Sequence, residues 1–323
     1  MMRAILALLA AFGLLAASDP SPAQGYPTRP ITLVVPFPPG GSSSTAARSV
    51  ADKMSETLGQ QIVVDNRGGA GGTVATRAVA RAAPDGHTLL VATSGTVGTS
   101  PALYPSLGYD ARKDLAPIGV IAATPNLLVV HPSFPARTLA DLITLSKQAS
   151  APIQYGSPGV STLNHLTGEL LAQRTGIKLL HVPYKGAGPA LNDLLGGHIP
   201  MLFSAIPNAH GHVAAGTIHA LAVTGAKRSA LLPQVPTFAE GGLAGFDVPL
   251  RYGLVAPAGT PRAIIDTLNR ALNGALASDE VRQRLAVEGA EPEPSTPGDY
   301  AAIIDRDVTM WSELVKAAGI KPE

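Results

Sequence analysis

Short apolar runs alternate along the chain with stretches whose apolar residues recur every three or four positions. Ile31, Leu33, Val34 and Val35 make the first run, which predicts a buried strand over 31–35 followed by a Pro/Gly/Ser loop. Ala47, Val50, Ala51, Met54 and Leu58 then fall on one face of a helix. The cycle repeats as a strand over 61–64, a loop over 66–72, a helix over 73–82 and a strand over 87–92. Alternation of this kind predicts an α/β fold with a mostly parallel sheet flanked by helices.

A second set of units follows. Strands are predicted over 127–131 and 153–156, around a helix from about Thr138 that buries Leu139, Leu142 and Leu145. Leu163, Leu166 and Leu170 mark another helix, followed by a strand over 178–182, a helix through Ala190, Leu191 and Leu194, and a strand over 201–204. After a strand over 252–256, Pro261 sits where a helix should start, with Ile264, Ile265, Leu268, Leu272 and Leu276 as its stripe. A last helix from about Gly298 turns Tyr300, Ile303, Ile304, Val308, Trp311, Leu314 and Val315 inward, and its plainest partner is the first sheet. Two stretches, 117–130 and 245–254, are the candidate connections between the halves. Two crossings make the second domain an insertion in the first, a geometry in which a few residues absorb the rotation of closure.

The N-terminus adds an address. One early cation, Arg3, precedes the apolar run 4–17 and a polar stretch ending Ser21-Pro22-Ala23, the pattern of a signal peptide cut near Ala23. An uncleaved anchor is the rival, but the run falls short of the roughly 20 residues that span a bilayer. With no cysteine there is neither a lipid attachment site nor a disulfide framework. A net charge of +1 without a concentrated basic face argues against nucleic acid and for a small molecule as partner.

Candidate chemistry lies in four glycine-rich segments, 36–45, 66–73, 157–162 and 184–189, each placed after a strand and before a helix. In open α/β sheets ligands bind beyond the carboxyl ends of the strands, and a helix N-terminus offers unpaired N–H groups with about half a positive charge. Two such loops from each half make an anion clamp. Ser42, Ser43, Ser44, Ser157, Ser161 and Thr162 are candidate caps or hydroxyl donors, Gly71 permits close backbone approach, and Thr93, Ser94 and Ser204 end strands as further hydroxyls. Phe37 and Tyr184 either line the cleft or pack the loop bases, and Arg67 and Lys185 either meet a carboxylate or are solvated. Enzyme signatures are absent: no G-x-S-x-G elbow, phosphate loop or dinucleotide fingerprint occurs. His210-Gly211-His212 reads as a surface pair, as does His165 with Glu169 on a helix. No cofactor or metal is expected.

The segments Tyr26-Pro27-Thr28-Arg29-Pro30-Ile31, Val35-Pro36-Phe37-Pro38-Pro39-Gly40-Gly41, Asn66-Arg67-Gly68-Gly69-Ala70-Gly71-Gly72, Pro84-Asp85-Gly86-His87-Thr88-Leu89, Val182-Pro183-Tyr184-Lys185-Gly186, Ala220-Leu221-Ala222-Val223-Thr224 and Pro233-Gln234-Val235-Pro236-Thr237 give the chain a resemblance to the Bug family of tripartite tricarboxylate transporter substrate-binding proteins. The resemblance covers essentially all of 26–323. It implies a two-domain type II periplasmic-binding fold with two crossing hinge strands, set here as a signal peptide over 1–23, domain 1 over 24–123 plus 248–323, and domain 2 over 124–247. It also implies a periplasmic monomer that closes on a small carboxylate and serves a membrane permease. Carried over by position, the ligand residues are Phe37, Gly40, Gly41 and Ser42 to Ser44 in one domain, and Ser157, Pro158, Gly159, Tyr184 and Lys185 in the other. Family members often hold an acidic residue where this chain has Ser44, which shifts the expected ligand from an amino acid toward a plain organic or aromatic carboxylate. The rival readings are a secreted hydrolase using Ser157 or Ser42 with His165, and a ligand-binding sensor.

Overall fold

In the computed structural model, which describes residues 25–320 apart from 40, 41, 105, 161 and 185, the first half of the chain builds one side of a six-stranded sheet. The aliphatic run β1 (Ile31–Val35) lies between β2 (Ile62–Asn66) and β3 (Thr88–Thr93), parallel to both. Helix α1 (Ser42–Leu58) covers one face, burying Ala46, Ala47, Val50, Ala51 and Met54 at helical spacing. Helix α2 (Thr73–Ala80) buries Ala75 and Val79 against the other. Beyond β3 come a wide turn (Gly95–Thr99) and the short α3 (Ser100–Leu103). The predicted signal peptide, Gly40, Gly41, Ser161 and Lys185 lie outside the described residues.

The long strand β4 (Leu115–Thr124) leaves this sheet, and β5 (Asn126–Val130) begins the next with only Pro125 between them. The second sheet is ordered β7-β6-β8-β5-β9. Its other strands are β6 (Ile153–Ser157), β7 (Leu179–Pro183), β8 (Met201–Ala205) and β9 (His219–Val223). Helices α4 (Leu139–Gln148), α5 (Leu163–Thr175), α6 (Ala187–Leu195) and α7 (Ile206–Ala214) pack around it. The chain returns through Val248 and Pro249 into β10 (Leu250–Pro257), between β3 and β4. It ends with α8 (Arg262–Leu276), α9 (Asp279–Val287), the two-residue β11 (Glu291–Pro292) on the edge of β4, and α10 (Pro297–Ala318).

Two expectations change. The sheets are mixed rather than mostly parallel: β10 runs antiparallel to β3 and β4, and β5 antiparallel to β8 and β9. A strand that carries the chain from one sheet to the other must be met by one coming back, and the return reverses direction. The last helix packs on more than the first sheet. Tyr300, Ile304 and Val308 join the core beneath β3 and β4, whereas Trp311, Leu314 and Val315, further along the same stripe, join Leu163, Leu166 and Leu170 of α5. The helix is long enough, at 22 residues or roughly 33 Å, to bridge both cores.

Thr224, fully buried, ties the two crossings together. Its N–H donates to Asn126 O (3.0 Å), its Oγ1 accepts from Asn126 N–H (2.9 Å), and its carbonyl accepts from Val248 N–H (3.1 Å).

Candidate functional site

A cavity of about 550 Å³ lies where the two sheets meet, within the range of small-molecule sites. The loop after β1 and the start of α1 contribute Phe37, Pro38, Pro39, Ser42 and Ser43; the loop after β2 contributes Ala70 and Gly71. Thr93, Gly95, Thr99, Ser100 and Tyr104 come from the end of β3 and the turn beyond it, and Leu250 and Tyr252 from β10. From the other side, Val160, Thr162, Leu163 and Asn164 bring the first turn of α5. No lining side chain among the described residues carries a formal charge.

Helix ends supply what charged side chains do not. Helices α1 and α5 open onto the cavity, α2 begins two residues past Gly71 of its wall, and none of the three has an acid in its first turn. Of the helices that start elsewhere, α4, α9 and α10 do, with Asp141, Asp279 and Glu280, and Asp299, whereas α6, α7 and α8 do not. Acids are favourable at helix N-termini. Their omission at the cavity leaves the partial positive charge and the first-turn N–H groups for something else. Thr162 Oγ1 caps α5 by accepting from His165 N–H (3.2 Å) while donating to Gly159 O (2.8 Å).

Close packing shapes the first-domain wall. Gly72, in the left-handed region (φ 91°), lies so near Thr96 that a Cβ there would fall 2.8 Å from its methyl and 3.3 Å from Phe37 Cζ. Asn66 Nδ2 donates to Phe37 O (2.8 Å) and to Ser44 Oγ (2.5 Å), pinning the loop to α1. Burial pushes the Tyr252 phenol up to about 12, so it stays a neutral hydroxyl beside Ser42.

Of the sequence-predicted ligand residues, Phe37, Ser42, Ser43, Gly71, Thr93 and Thr162 lie on this wall. The others that the structure describes do not. Ser44 is turned onto Asn66. Ser94 Oγ accepts from Arg251 N–H (2.9 Å) and donates to Pro249 O (3.4 Å), bracing the second crossing. Ser204 Oγ donates to its neighbour's carbonyl, Ala205 O. Tyr184 spends its hydroxyl on Asp193 (2.7 Å), Pro158 O accepts from Gly186 N–H, and Gly159 O serves Thr162. Thr99, Ser100, Tyr104, Asn164, Leu250 and Tyr252 are additions that no local motif marked.

His165 and Glu169 do pair, Nε2 to Oε1 at 3.8 Å, but not on the surface as their spacing predicts. His165 is 5 % exposed and stacks on His181 of β7 (centroids 3.9 Å apart), and Glu169 accepts from Tyr155 OH (2.7 Å). Burial lowers His165 to about 4; burial and the neighbouring ring lower His181 to about 3. Ser157 Oγ sits 2.6 Å from His181 Nε2, not on His165, and donates to Gly159 O (2.9 Å). His181, not His165, is the ring at Ser157, and the same hydroxyl holds its own loop through Gly159, so the Ser157–His165 pair of the hydrolase reading does not form. His210 and His212 lie on α7, where they face Ile206 O and Thr217 Oγ1, and among the described residues no cluster suited to a metal occurs.

Behind the crossings lies a second, charged cavity of about 300 Å³, lined in part by Ala123, Pro125, Lys227, Asp247, Arg251 and Glu293. Arg251 Nε reaches both Glu293 oxygens (3.1 and 2.8 Å), and its terminal nitrogen lies 3.5 Å from Asp247. Strand alternation separates the two cavities: Leu250 and Tyr252 face the front, Arg251 the rear.

Residues 46–320 match the model of the tripartite tricarboxylate transporter family receptor. Among solved structures, the periplasmic binding protein BugD is 37% identical (TM-score 0.74), with 92% of this chain and all of that one aligned. Rpa4515 of R. palustris with adipate is 38% identical (TM-score 0.77) over 92% and 100% of the two chains. MatC of Rhodopseudomonas palustris with bound malate is 36% identical (TM-score 0.73) over 90% and 100%. These are binding proteins and not enzymes, and they share the two-sheet architecture described above. With its family model matched over most of its length, the chain belongs to the tripartite tricarboxylate transporter receptor family, the periplasmic solute-binding proteins of Bug type.

Proposed function

We propose that this chain is exported by a signal peptide cleaved near Ala23, captures a small organic or aromatic carboxylate in the front cavity as a monomer, and delivers it to the permease of a tripartite tricarboxylate transporter. The observation that carries the reading is the wall without charged side chains onto which α1 and α5 open with acid-free N-termini. Such a wall meets a carboxylate with backbone N–H groups and hydroxyls. Adipate on Rpa4515 and malate on MatC support a carboxylate ligand here. One side of the cavity comes from the first sheet's loops and the other from α5, so closure about the two crossings completes the contacts, and ligand favours the closed form by differential affinity.

A thermal-shift screen of mono-, di- and tricarboxylates, aromatic acids and acidic amino acids tests the reading. A ligand at a hundred times its Kd stabilises by about 2.7 kcal/mol, a readily measured shift. Silence across the whole panel would refute carboxylate capture, and scattering curves unchanged by a saturating ligand would refute closure. Intact mass of the periplasmic protein tests cleavage near Ala23.

A further inference from the structure

Asn164, in the first turn of α5, is the one side-chain amide among the described residues of the cavity wall. Its Nδ2 points inward, donating to Phe203 O (3.1 Å) and to Asn126 Oδ1 (3.3 Å). A carbonyl only accepts, so Phe203 fixes which end of the Asn164 amide faces the protein. Asn126 must then turn its own oxygen toward Asn164, and its Nδ2, in a residue 1 % exposed, is left buried without a partner. A buried, unpaired amide donor is unfavourable and calls for a reason. Its consequence is that Asn164 holds Oδ1 outward, and among the described residues no hydrogen bond ends on that atom.

Resting on the carboxylate-capture reading, we infer that Asn164 is a specificity-determining residue that accepts a hydrogen bond from the ligand, with Asn126 as the residue that positions it. A fixed acceptor repels carboxylate and keto oxygens and rewards a donor. With no acidic side chain on the described wall to balance an ammonium group, the donor is a hydroxyl. The ligand class is a hydroxylated carboxylate: the carboxylate meets the helix N-termini and the hydroxyl meets Asn164.

Calorimetric titration with matched pairs tests this: succinate and malate, butyrate and 3-hydroxybutyrate, benzoate and 4-hydroxybenzoate, with aspartate as the ammonium control. In at least one pair the hydroxylated member binds about five- to tenfold tighter, the worth of one hydrogen bond. Asn164→Leu collapses that ratio toward one. Asn126→Leu removes one of the two acceptors that hold the Nδ2 end and lowers the ratio only part way, because Phe203 O remains, whereas Asn126→Asp retains both acceptors and keeps the preference. Overall destabilisation moves both members of a pair together and leaves their ratio alone. Equal or tighter binding of the plain member in every pair that binds, or tighter binding of aspartate than malate, overturns the inference while carboxylate capture stands. Failure of every acid to bind overturns capture and this inference with it.

Discussion

The front and rear of the same hinge are built from opposite chemistry. The front cavity presents hydroxyls, prolines, aromatic rings and helix ends, with no charged side chain on its described wall. Across two crossing strands, the rear cavity gathers Lys227, Arg251, Asp247, Glu291 and Glu293. Side-chain charges facing the ligand would bind strongly but would also pair with one another across the gap and hold the clamp shut. Helix ends attract an anion without attracting each other. With carboxylate capture in the front cavity as proposed, ion pairs kept behind the hinge separate the energy that holds the crossings from the energy that would hold the ligand.

Removing Arg251 is the largest break in that division. Arg251 is buried, and Glu293 and Asp247 share its charge. Arg251→Met strands both carboxylates and should lower stability by about 3 kcal/mol in urea unfolding, as loss of one partner of a buried pair does. Carboxylate affinity should move by less than tenfold. An affinity loss as large as the stability loss would show that front and rear are not separate.

Adding charge to the front tests the converse. Ser42 opens α1 at the cavity. Ser42→Asp should raise stability by about 0.5 kcal/mol through the helix dipole. The same carboxylate faces the ligand's and should weaken binding by about 2 kcal/mol, roughly thirtyfold, from like charges some 5 Å apart in a partly solvated site. Stability and affinity move in opposite directions, which titration and thermal melts on one variant resolve. Parallel losses in both would mean that the first turn of α1 is structural only.

Most elements were legible because their information is local: the α8 stripe of Ile264, Ile265, Leu268, Leu272 and Leu276 is buried as its spacing requires. The mixed sheet order was not, since periodicity carries no strand direction. Nor was the span of α10, whose single stripe changes partner between Val308 and Trp311. At the site, strand alternation tells that Thr93 and Ser94 face opposite ways but not which one faces the cavity; it is Thr93, and Ser94 braces the hinge. Tyr252 escaped because β10 reaches the cavity only by returning from the second sheet, and Asn164 because nothing in the sequence sets it apart within the first turn of α5. The burial of His165 depends on His181, sixteen residues away on another element.

That stacked pair offers the smallest and most selective test, since it lies beneath the second-domain loop, where acid can put charge behind the neutral front. Both rings titrate below the ordinary histidine value of about 6.5, His165 at about 4 and His181 at about 3. Above pH 6.5 both are neutral in folded and unfolded chains, and their contribution to stability is fully present. As pH falls from 6.5 toward 4, the unfolded chain takes up protons that the folded chain refuses, so stability falls, by at most about 1.4 kcal/mol per pH unit for each ring. Urea midpoints between pH 7 and 4.5 should decline accordingly. His181→Gln, which removes one titrating ring and leaves an amide near Ser157, should make the decline shallower by up to that amount. An unchanged slope would mean that the stacked pair is not the source of the acid sensitivity. Between pH 8 and 6.5 neither ring gains charge, and the Kd for a fully ionised carboxylate should stay flat; a change in that window would mean that the front cavity is not the neutral surface on which the comparison rests.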